Sequence, residues 1–265
     1  MVISRKYSHI LKRGDLVNAL VLIYGRIVDA ATVYRWSIGR VVRKYSRMLP
    51  AGASVLDVGS GGGFYRSSFR SQRYMSLEIS KDVRPMIRGD IYALPVRSET
   101  LDATVCTDVF EHLTDPHLAL TEIWRVLKPN GHFLITVPFF YPMHGLPDCE
   151  DYCRWTETGL RRMLTQNGFT VTFTYYLGGL FSALAETLMT SWHGFTAPPR
   201  HIRRTIISLP FYLAQSLGRF VLLPVAVVMV FLDGFYYSRR NSPIGYAMIT
   251  SKTDRCCREK GKKLG

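Results

Sequence analysis

The sequence VLDVGSGGGF, from Val55 to Phe64, decides the fold of this 265-residue chain. Its first half is a short apolar strand, and its second half is a turn in which four of five residues are glycine. Glycine has no Cβ, so such a turn adopts positive φ angles and lets the backbone approach a ligand. The dinucleotide fingerprint G-x-G-x-x-G requires its third glycine where this chain has Phe64. The turn therefore predicts a ligand site, but not one for a dinucleotide.

A carboxylate at the end of the strand indicates the charge of that ligand. The pattern is Asp57-x-Gly59-x-Gly61-x-Gly63, with the acid two residues before the first glycine. A negative charge in this place repels a pyrophosphate and attracts an amino group. We therefore expect a zwitterionic ligand.

The segments after this turn resemble the class I S-adenosylmethionine-dependent methyltransferases, specifically the type 11 methyltransferase domain family, in order and spacing. The matching segments are strand Tyr74–Ile79, the Arg88–Ile91 segment after a short third strand, strand Leu101–Cys106, the post-strand segment Thr107–Leu113, the helix-breaking Leu127–Gly131 and strand His132–Pro138. A short helix is expected over Ser67–Gln72. The similarity extends from Val55 to about Phe173.

The resemblance implies an α/β fold with a Rossmann-like, seven-stranded, mostly parallel sheet in the order 3-2-1-4-5-7-6, flanked by helices. Ile244–Lys252 is expected as the last strand, paired with Thr170–Tyr176. We expect a helical extension over 1–49, a core over 50–177 and 244–252, an apolar helical insertion over 178–243, and a basic tail over 253–265.

The cofactor that the resemblance implies is S-adenosylmethionine. In the family, an acid after the second strand binds the ribose hydroxyls, which assigns Glu78. An acid after the third strand faces the adenine amino group while its neighbour packs on the ring, and Thr107 and Asp108 lie beside the methionine moiety. The predicted cofactor-binding residues are Asp57, Gly59, Ser60, Gly61, Gly63, Glu78, Ile79, Asp90, Ile91, Thr107 and Asp108.

The segment PFFYPMHGLPDCEDYCRWT, residues 138–156, follows the fifth strand and is expected to face the acceptor. His144 is the candidate base, with Asp151 to orient it and Arg154 to position an anionic group. Alternatively, Asp151 and Arg154 form a structural pair and cap the helix that begins at Thr156. His112 is the rival base, although Glu-His-Leu in this family pattern also starts a helix.

Cysteine usage indicates a reducing, cytoplasmic compartment. The five cysteines are an odd number, and no apolar leader with a cleavage site precedes the core. Cys149 and Cys153 with His144 fall short of a zinc ligand set, so we expect reduced thiols and no metal.

The net charge of +14 is unevenly distributed. Basic clusters occur at Arg40–Arg47, Arg200–Arg204 and Lys252–Lys263. Both anionic lipid and nucleic acid attract such clusters. The apolar run Phe220–Leu232 favours the membrane and makes a nucleic-acid partner the weaker expectation.

The same run is 13 residues long, whereas a spanning helix needs about 20. Extension towards the N-terminus meets Arg219, Gln215 and Pro210, and Pro224 interrupts the run. We therefore expect the insertion to lie in the membrane interface, to re-enter from one side, or to cap the site as a lid. A buried helical pair or a dimer face is the alternative, and the oligomeric state stays open.

These observations predict methyl transfer to a small-molecule, lipid or lipid-linked glycan acceptor by a peripheral membrane protein. A binding module that keeps the cofactor pocket without turnover, as a regulatory or scaffold subunit, is the second interpretation. A nicotinamide-dependent oxidoreductase is the third, and Phe64 disfavours it.

Overall fold

A computed structural model describes residues 32–81, 83–143, 150–195, 209–235 and 242–253. Seven strands form one sheet: β1 Ser54–Val58, β2 Arg73–Glu78, β3 Ile87–Arg88, β4 Leu101–Thr107, β5 Leu127–Pro138, β6 Phe169–Leu177 and β7 Gly245–Lys252. Five α-helices accompany them in this part of the chain: α1 Val33–Met48, α2 Pro116–Val126, α3 Glu157–Gln166, α4 Leu180–Phe195 and α5 Leu209–Phe235.

The strand order is β3-β2-β1-β4-β5-β7-β6, as the sequence predicts. β1 to β5 pair in parallel with their neighbours. β7 is antiparallel to both β5 and β6, and its pairing with β6 runs from Phe169–Lys252 to Leu177–Gly245. The carboxyl ends of β1, β2, β4 and β5 therefore meet at one edge of the sheet, where α/β folds bind their ligands.

Apolar residues on alternate positions of the strands form a core on each face of the sheet. On one face, α1 packs against Val55, Val105 and Leu134. On the other face, α2 and α3 pack against Leu56, Phe133 and their neighbours. Because both faces of the sheet are covered, the central strands β1 and β4 are buried at almost every position.

Two local expectations need correction. The predicted helix over Ser67–Gln72 is only a 3₁₀ turn, Arg66–Phe69. The predicted break at Leu127–Gly131 does end α2 at Val126, but β5 begins immediately at Leu127. The pairing of β4 with β5 shifts between Leu101 and Ala103, and Asn130 has φ +59°, so these residues form a bulge in the strand.

The insertion between β6 and β7 contains α4 and α5, which pack against each other as a helical hairpin. The buried carboxylate of Asp233, near the end of α5, accepts hydrogen bonds from the backbone N–H groups of Phe181 and Ser182 at 3.0 and 2.9 Å. These N–H groups belong to the first turn of α4, where the helix itself offers no acceptor, so Asp233 supplies one. Near the other end, Trp192 Nε1 donates to the Ala214 carbonyl at 3.3 Å.

Helix α5 is longer than the apolar run predicts. The helix has 27 residues in total, which corresponds to a length of about 40 Å, and it continues through Pro224. By length and composition, the stretch Leu213–Asp233 within it could cross a membrane. Only 12% of this stretch is buried, unlike the core helix of a soluble protein. Reading Pro224 as a breaker was wrong, because an internal proline removes one hydrogen bond and usually kinks a helix without having to end it.

Several predictions concern residues outside the described ranges. These are the helical extension before position 32, the candidate base His144, Cys149, the basic segment Arg200–Arg204, and the tail after Thr253.

Candidate functional site

The glycine turn after β1 is held by the end of β2 and is open on one side. The N–H groups of Gly59 and Ser60 both donate to the Leu77 carbonyl, at 2.9 and 3.1 Å. Gly59, Gly61 and Gly63 all have positive φ, at +71°, +51° and +71°. A Cβ on Gly59 would lie 2.4 Å from Val109, whereas one on Gly61 or Gly63 would meet nothing within 4 Å. Gly59 is thus required by packing, and the other two leave room for a ligand.

Asp57 lies beneath this turn as a buried carboxyl group, with 1% of its surface exposed. Tyr74 donates a hydrogen bond to Oδ2 at 2.6 Å, and Oδ1 is buried with no hydrogen-bond partner among the described residues. Burial raises the pKa of Asp57 to about 7; the Tyr74 hydrogen bond opposes this rise and the nearby Glu78 adds to it. A cation that reached Oδ1 would stabilise the ionised carboxylate.

Glu78, the predicted ribose ligand, also organises the turn. Its Oε2 accepts from Gly61 N–H at 2.8 Å, and its Oε1 accepts from Ile79 and Ser80 N–H at 2.9 and 3.1 Å. The carboxylate therefore links the end of β2 to the open side of the glycine turn. The side chain of Ile79 is largely exposed at the same edge.

Asp90 and Ile91 follow β3 as predicted, but they face different surroundings. Asp90 Oδ1 accepts from the Tyr92 N–H at 3.0 Å. Ile91 is only 8% exposed and belongs to the core beside Leu77 and Leu94. Little of its side chain is thus available to an adenine ring.

Asp108 directly follows β4, and its side chain accepts hydrogen bonds from two neighbouring elements. It has φ +53°, and its Oδ1 accepts hydrogen bonds from Tyr34 of α1 and Thr136 of β5, both at 2.8 Å. Burial raises the pKa of Tyr34 well above its usual value, and the negative charge of the nearby Asp108 raises it further. The phenol therefore remains a hydrogen-bond donor. Sequence reasoning missed Tyr34, because it precedes Asp108 by 74 residues and no local pattern joins them.

Glu111 is a second buried carboxyl group near Asp108. Burial, with a further contribution from Asp108, raises its pKa well above the usual range. Its backbone carbonyl accepts from the N–H groups of Tyr152 and Cys153, which attaches the loop before α3 to the end of β4. The EHL sequence alone gives no signal that this glutamate is buried.

His112 sits in a 3₁₀ turn, Phe110–His112, in keeping with the helix-start interpretation. Its Nδ1 lies 2.7 Å from the Glu150 carbonyl oxygen. Its Nε2 lies 3.8 Å from a carboxylate oxygen of Glu111.

Asp151 and Arg154 form a two-bond ion pair, the alternative that the sequence left open. Arg154 Nη2 donates to Asp151 Oδ2 at 2.6 Å, and Nη1 donates to Oδ1. The cap of α3 comes from neither residue: Thr156 Oγ1 accepts from Gly159 N–H at 3.1 Å. Orientation of His144 by Asp151 stays a prediction, because His144 lies outside the described residues.

Comparisons of sequence point to a methyltransferase domain. Residues 56–135 match the family model for a methyltransferase domain. The chain is 25% identical over 177 residues to a probable S-adenosylmethionine-dependent methyltransferase of Mycolicibacterium smegmatis, a match that covers 61% of this chain and 68% of that protein. It is 29% identical over 126 residues to the tRNA (carboxymethyluridine(34)-5-O)-methyltransferase of Arabidopsis thaliana, covering 43% of this chain and 31% of that protein.

The comparison of structures extends over nearly the whole chain. The 1,6-didemethyltoxoflavin-N1-methyltransferase of Burkholderia thailandensis, solved with S-adenosylhomocysteine, aligns with a TM-score of 0.51 and 16% identity, over 96% of this chain and 92% of that one. At this identity the likeness shows a shared fold. The chain spans 31% and 52% of the length of the first two curated relatives that it matches.

Proposed function

Because this chain belongs to the class I S-adenosylmethionine-dependent methyltransferase family, we propose that it transfers the methyl group of S-adenosylmethionine to a lipidic acceptor at a membrane surface. The finer parts of this proposal are the acceptor and the membrane. They rest on the geometry of the site edge and of the hairpin beside it.

The described residues fit the cofactor. Gly61 and Gly63 leave open space above the turn, and the buried Oδ1 of Asp57 suits the ammonium group of a zwitterion. Glu78 fixes the turn through Gly61 and is our proposed ribose ligand, and Asp108 lies at the other side of the edge. The bound cofactor supplies a methyl group already activated on a sulfonium, so the protein has to align an acceptor and exclude water.

Proton removal is needed if the acceptor is a hydroxyl group. His144 remains our proposed base on the strength of its sequence position after β5. His112 is the rival, and one of its ring nitrogens is already within hydrogen-bond distance of a backbone carbonyl.

The single observation that carries the lipidic acceptor is the exposed face of α5. Among the side chains of this helix whose exposure the structure describes, nine large apolar ones are exposed: Leu213, Leu217, Phe220, Val221, Leu223, Val225, Val227, Val228 and Phe231. They lie on the side opposite the buried Gln215, Ala226 and Asp233, so the outer face is apolar where a water-facing helix would be polar. Apolar patches of this kind mark membrane or protein interaction sites.

Position favours the membrane surface over a full crossing. β6 ends at Leu177 and β7 begins at Gly245 in the same sheet, so any crossing by α5 needs a second one to return. The helix before it, α4, has 16 residues within the described part of the chain, and a spanning helix needs about 20. We therefore propose that the hairpin lies in the interface, on the cytoplasmic side.

Two measurements test the proposed activity. Calorimetry should show binding of S-adenosylhomocysteine and none of NAD; tighter binding of NAD would contradict the cofactor assignment. With radiolabelled S-adenosylmethionine, the label should enter a lipid extract and should not enter total tRNA, which is the acceptor class named for the Arabidopsis relative. Label in tRNA alone would contradict a lipidic acceptor.

A further inference from the structure

We propose that a cavity between α1 and the helical hairpin binds the phosphate headgroup of an anionic phospholipid. The proposal rests on the proposed membrane association, and it adds to it a defined site and a ligand class. The cavity is separate from the glycine turn and from Asp108.

The cavity has a volume of about 250 Å³ and is walled by four elements, among them α4 through Ser182. Helix α1 contributes Trp36, Arg40 and Lys44, β6 contributes Tyr175, and α5 contributes Val230. The three α1 residues follow each other at intervals of four, which places them on one face of the helix. A basic stripe of α1 therefore faces the hairpin.

Aromatic rings support both cations. The guanidinium of Arg40 lies 4.9 Å from the centroid of the Trp36 ring, and Lys44 Nζ lies 5.0 Å from the centroid of Tyr175. Such contacts hold long side chains in place while leaving their N–H groups free for another partner. Two positive charges are thus held at the cavity wall.

No carboxylate lines the cavity among the described residues, and neither cation forms an ion pair within this part of the chain. Two cavity residues donate hydrogen bonds to carboxylates outside the lining. Tyr176 donates to Glu157, which also accepts from Arg161. The other carboxylate is Asp233, which accepts from the cavity residue Ser182. Its oxygens accept from Ser182 and from the first N–H groups of α4, so they are committed to that helix. The net positive lining suits a phosphate, which Arg and Lys bind by charge-assisted hydrogen bonds.

Continuity with the apolar face of α5 indicates a phosphate that carries acyl chains. Val230 is half-buried at the cavity wall, and the next residue, Phe231, is 65% exposed on the apolar face. Leu223 lies two turns earlier along the same edge and is 49% exposed. A phospholipid would place its phosphate on Arg40 and Lys44 and its chains along α5, whereas a free phosphate would use only the first half of this surface.

Vesicle flotation with the full chain tests the site. Vesicles of phosphatidylcholine are compared with vesicles that also contain phosphatidylglycerol. The variant pair R40Q/K44Q removes the cavity charges, and R43Q/R47Q removes two exposed charges from the same helix outside the cavity. Wild type should bind the anionic vesicles about tenfold more tightly or better, since each basic residue near an anionic surface contributes about fivefold. The cavity pair should lose this gain, and the control pair should keep more than half of it.

Each outcome has a distinct meaning. Equal losses for the two pairs, or displacement of the protein from vesicles by glycerol phosphate as effectively as by added anionic vesicles, would overturn the lipid headgroup site. Equal binding of wild type to both vesicle types would overturn the headgroup site and leave the proposed membrane association standing. Absence of binding to either would overturn both, while binding of S-adenosylhomocysteine, measured on every variant, reports separately on the fold and the cofactor site.

Discussion

The Asp57 carboxyl group makes the stability of the fold depend on pH, and in the proposed site it also links stability to cofactor binding. Its pKa is about 7 in the folded chain and about 3.9 in an unfolded one. The unfolded chain therefore loses this proton first, and the contribution of Asp57 to stability falls as pH rises from about 4 to about 7. A cofactor ammonium would recover part of that loss, because it favours the ionised carboxylate.

The D57N variant should consequently be more stable and less able to bind. At pH 7 and above, where the folded carboxyl ionises at a cost of a few kcal/mol, we expect a higher Tm than for wild type without ligand. Affinity for S-adenosylhomocysteine should fall by tenfold or more, and in wild type it should rise with pH up to about 7. Thermal unfolding and calorimetry between pH 5 and 8 measure both effects.

D102N is the matched control, since it makes the same substitution on neighbouring β4. Asp102 accepts from Lys128 Nζ at 2.6 Å and from Ser54 N–H at 2.8 Å. Partial burial tends to raise the pKa of Asp102, but these two hydrogen bonds lower it below its usual value. The substitution should therefore reduce stability and leave cofactor affinity unchanged. Unchanged affinity in D57N would instead exclude Asp57 as the ammonium ligand.

Alanine substitutions at two glycines of the turn should have different effects, one on packing and the other on ligand binding. G59A places a Cβ against Val109 at positive φ, so we expect a loss of about 2 kcal/mol or more in the free energy of unfolding. G61A meets open space and should cost about 1 kcal/mol, yet its methyl group occupies the ligand side of the turn. Denaturant unfolding and calorimetry should thus show G61A folded and deficient in binding. Normal affinity in G61A would place the cofactor elsewhere.

Among single residues, the sequence predicts those that belong to a local pattern. Asp57 and the glycines are found because strand, acid and turn occupy ten consecutive positions. Tyr34, Thr136 and the burial of Glu111 are not found, because their contacts join separate elements across the sheet. Asp151 and Arg154 are three residues apart, so their pairing was a foreseeable alternative.

Among the elements, the hairpin depends on Asp233. D233A removes the acceptor for the first N–H groups of α4, and loss of a helix cap typically costs about 1–2 kcal/mol. We expect faster proteolysis within 178–243 with little change in binding of S-adenosylhomocysteine. D115A, which removes the Asp115 cap of α2, is the control and should instead lower the stability of the core. Equal protease resistance of D233A and wild type would mean that packing alone holds the hairpin.

The whole molecule combines a charged surface with an exposed apolar helix, and the two respond differently to salt. Exposed charges are screened over about 10 Å at ordinary ionic strength, whereas inserted apolar surface is not. We expect the protein in the membrane fraction, partly extracted by salt and released by detergent. Full solubility without detergent would favour a lid or dimer face for α5.

Protease treatment of sealed membranes adds the topology to this test. In the proposed orientation, the Arg200–Arg204 segment and the tail are both cut from the cytoplasmic side alone. Protection of both the segment and the α5 helix, with the tail still cut, would show that the hairpin crosses twice. The sequence predicts this apolar insertion and its place between the last strands, but it underestimates the helix because Pro224 does not end it.

The central place of β7 sets the order in which a nascent chain can complete its sheet. β7 fills the gap between β5 and β6, and it reaches Phe133 across 117 residues. Until it leaves the ribosome, β5 and β6 each have an unpaired edge, and such edges invite aggregation. The hairpin precedes β7, so its apolar helices emerge while the domain is still incomplete. Contact of the hairpin with a membrane during translation would therefore shelter the apolar surface during the interval in which the chain is least able to protect itself.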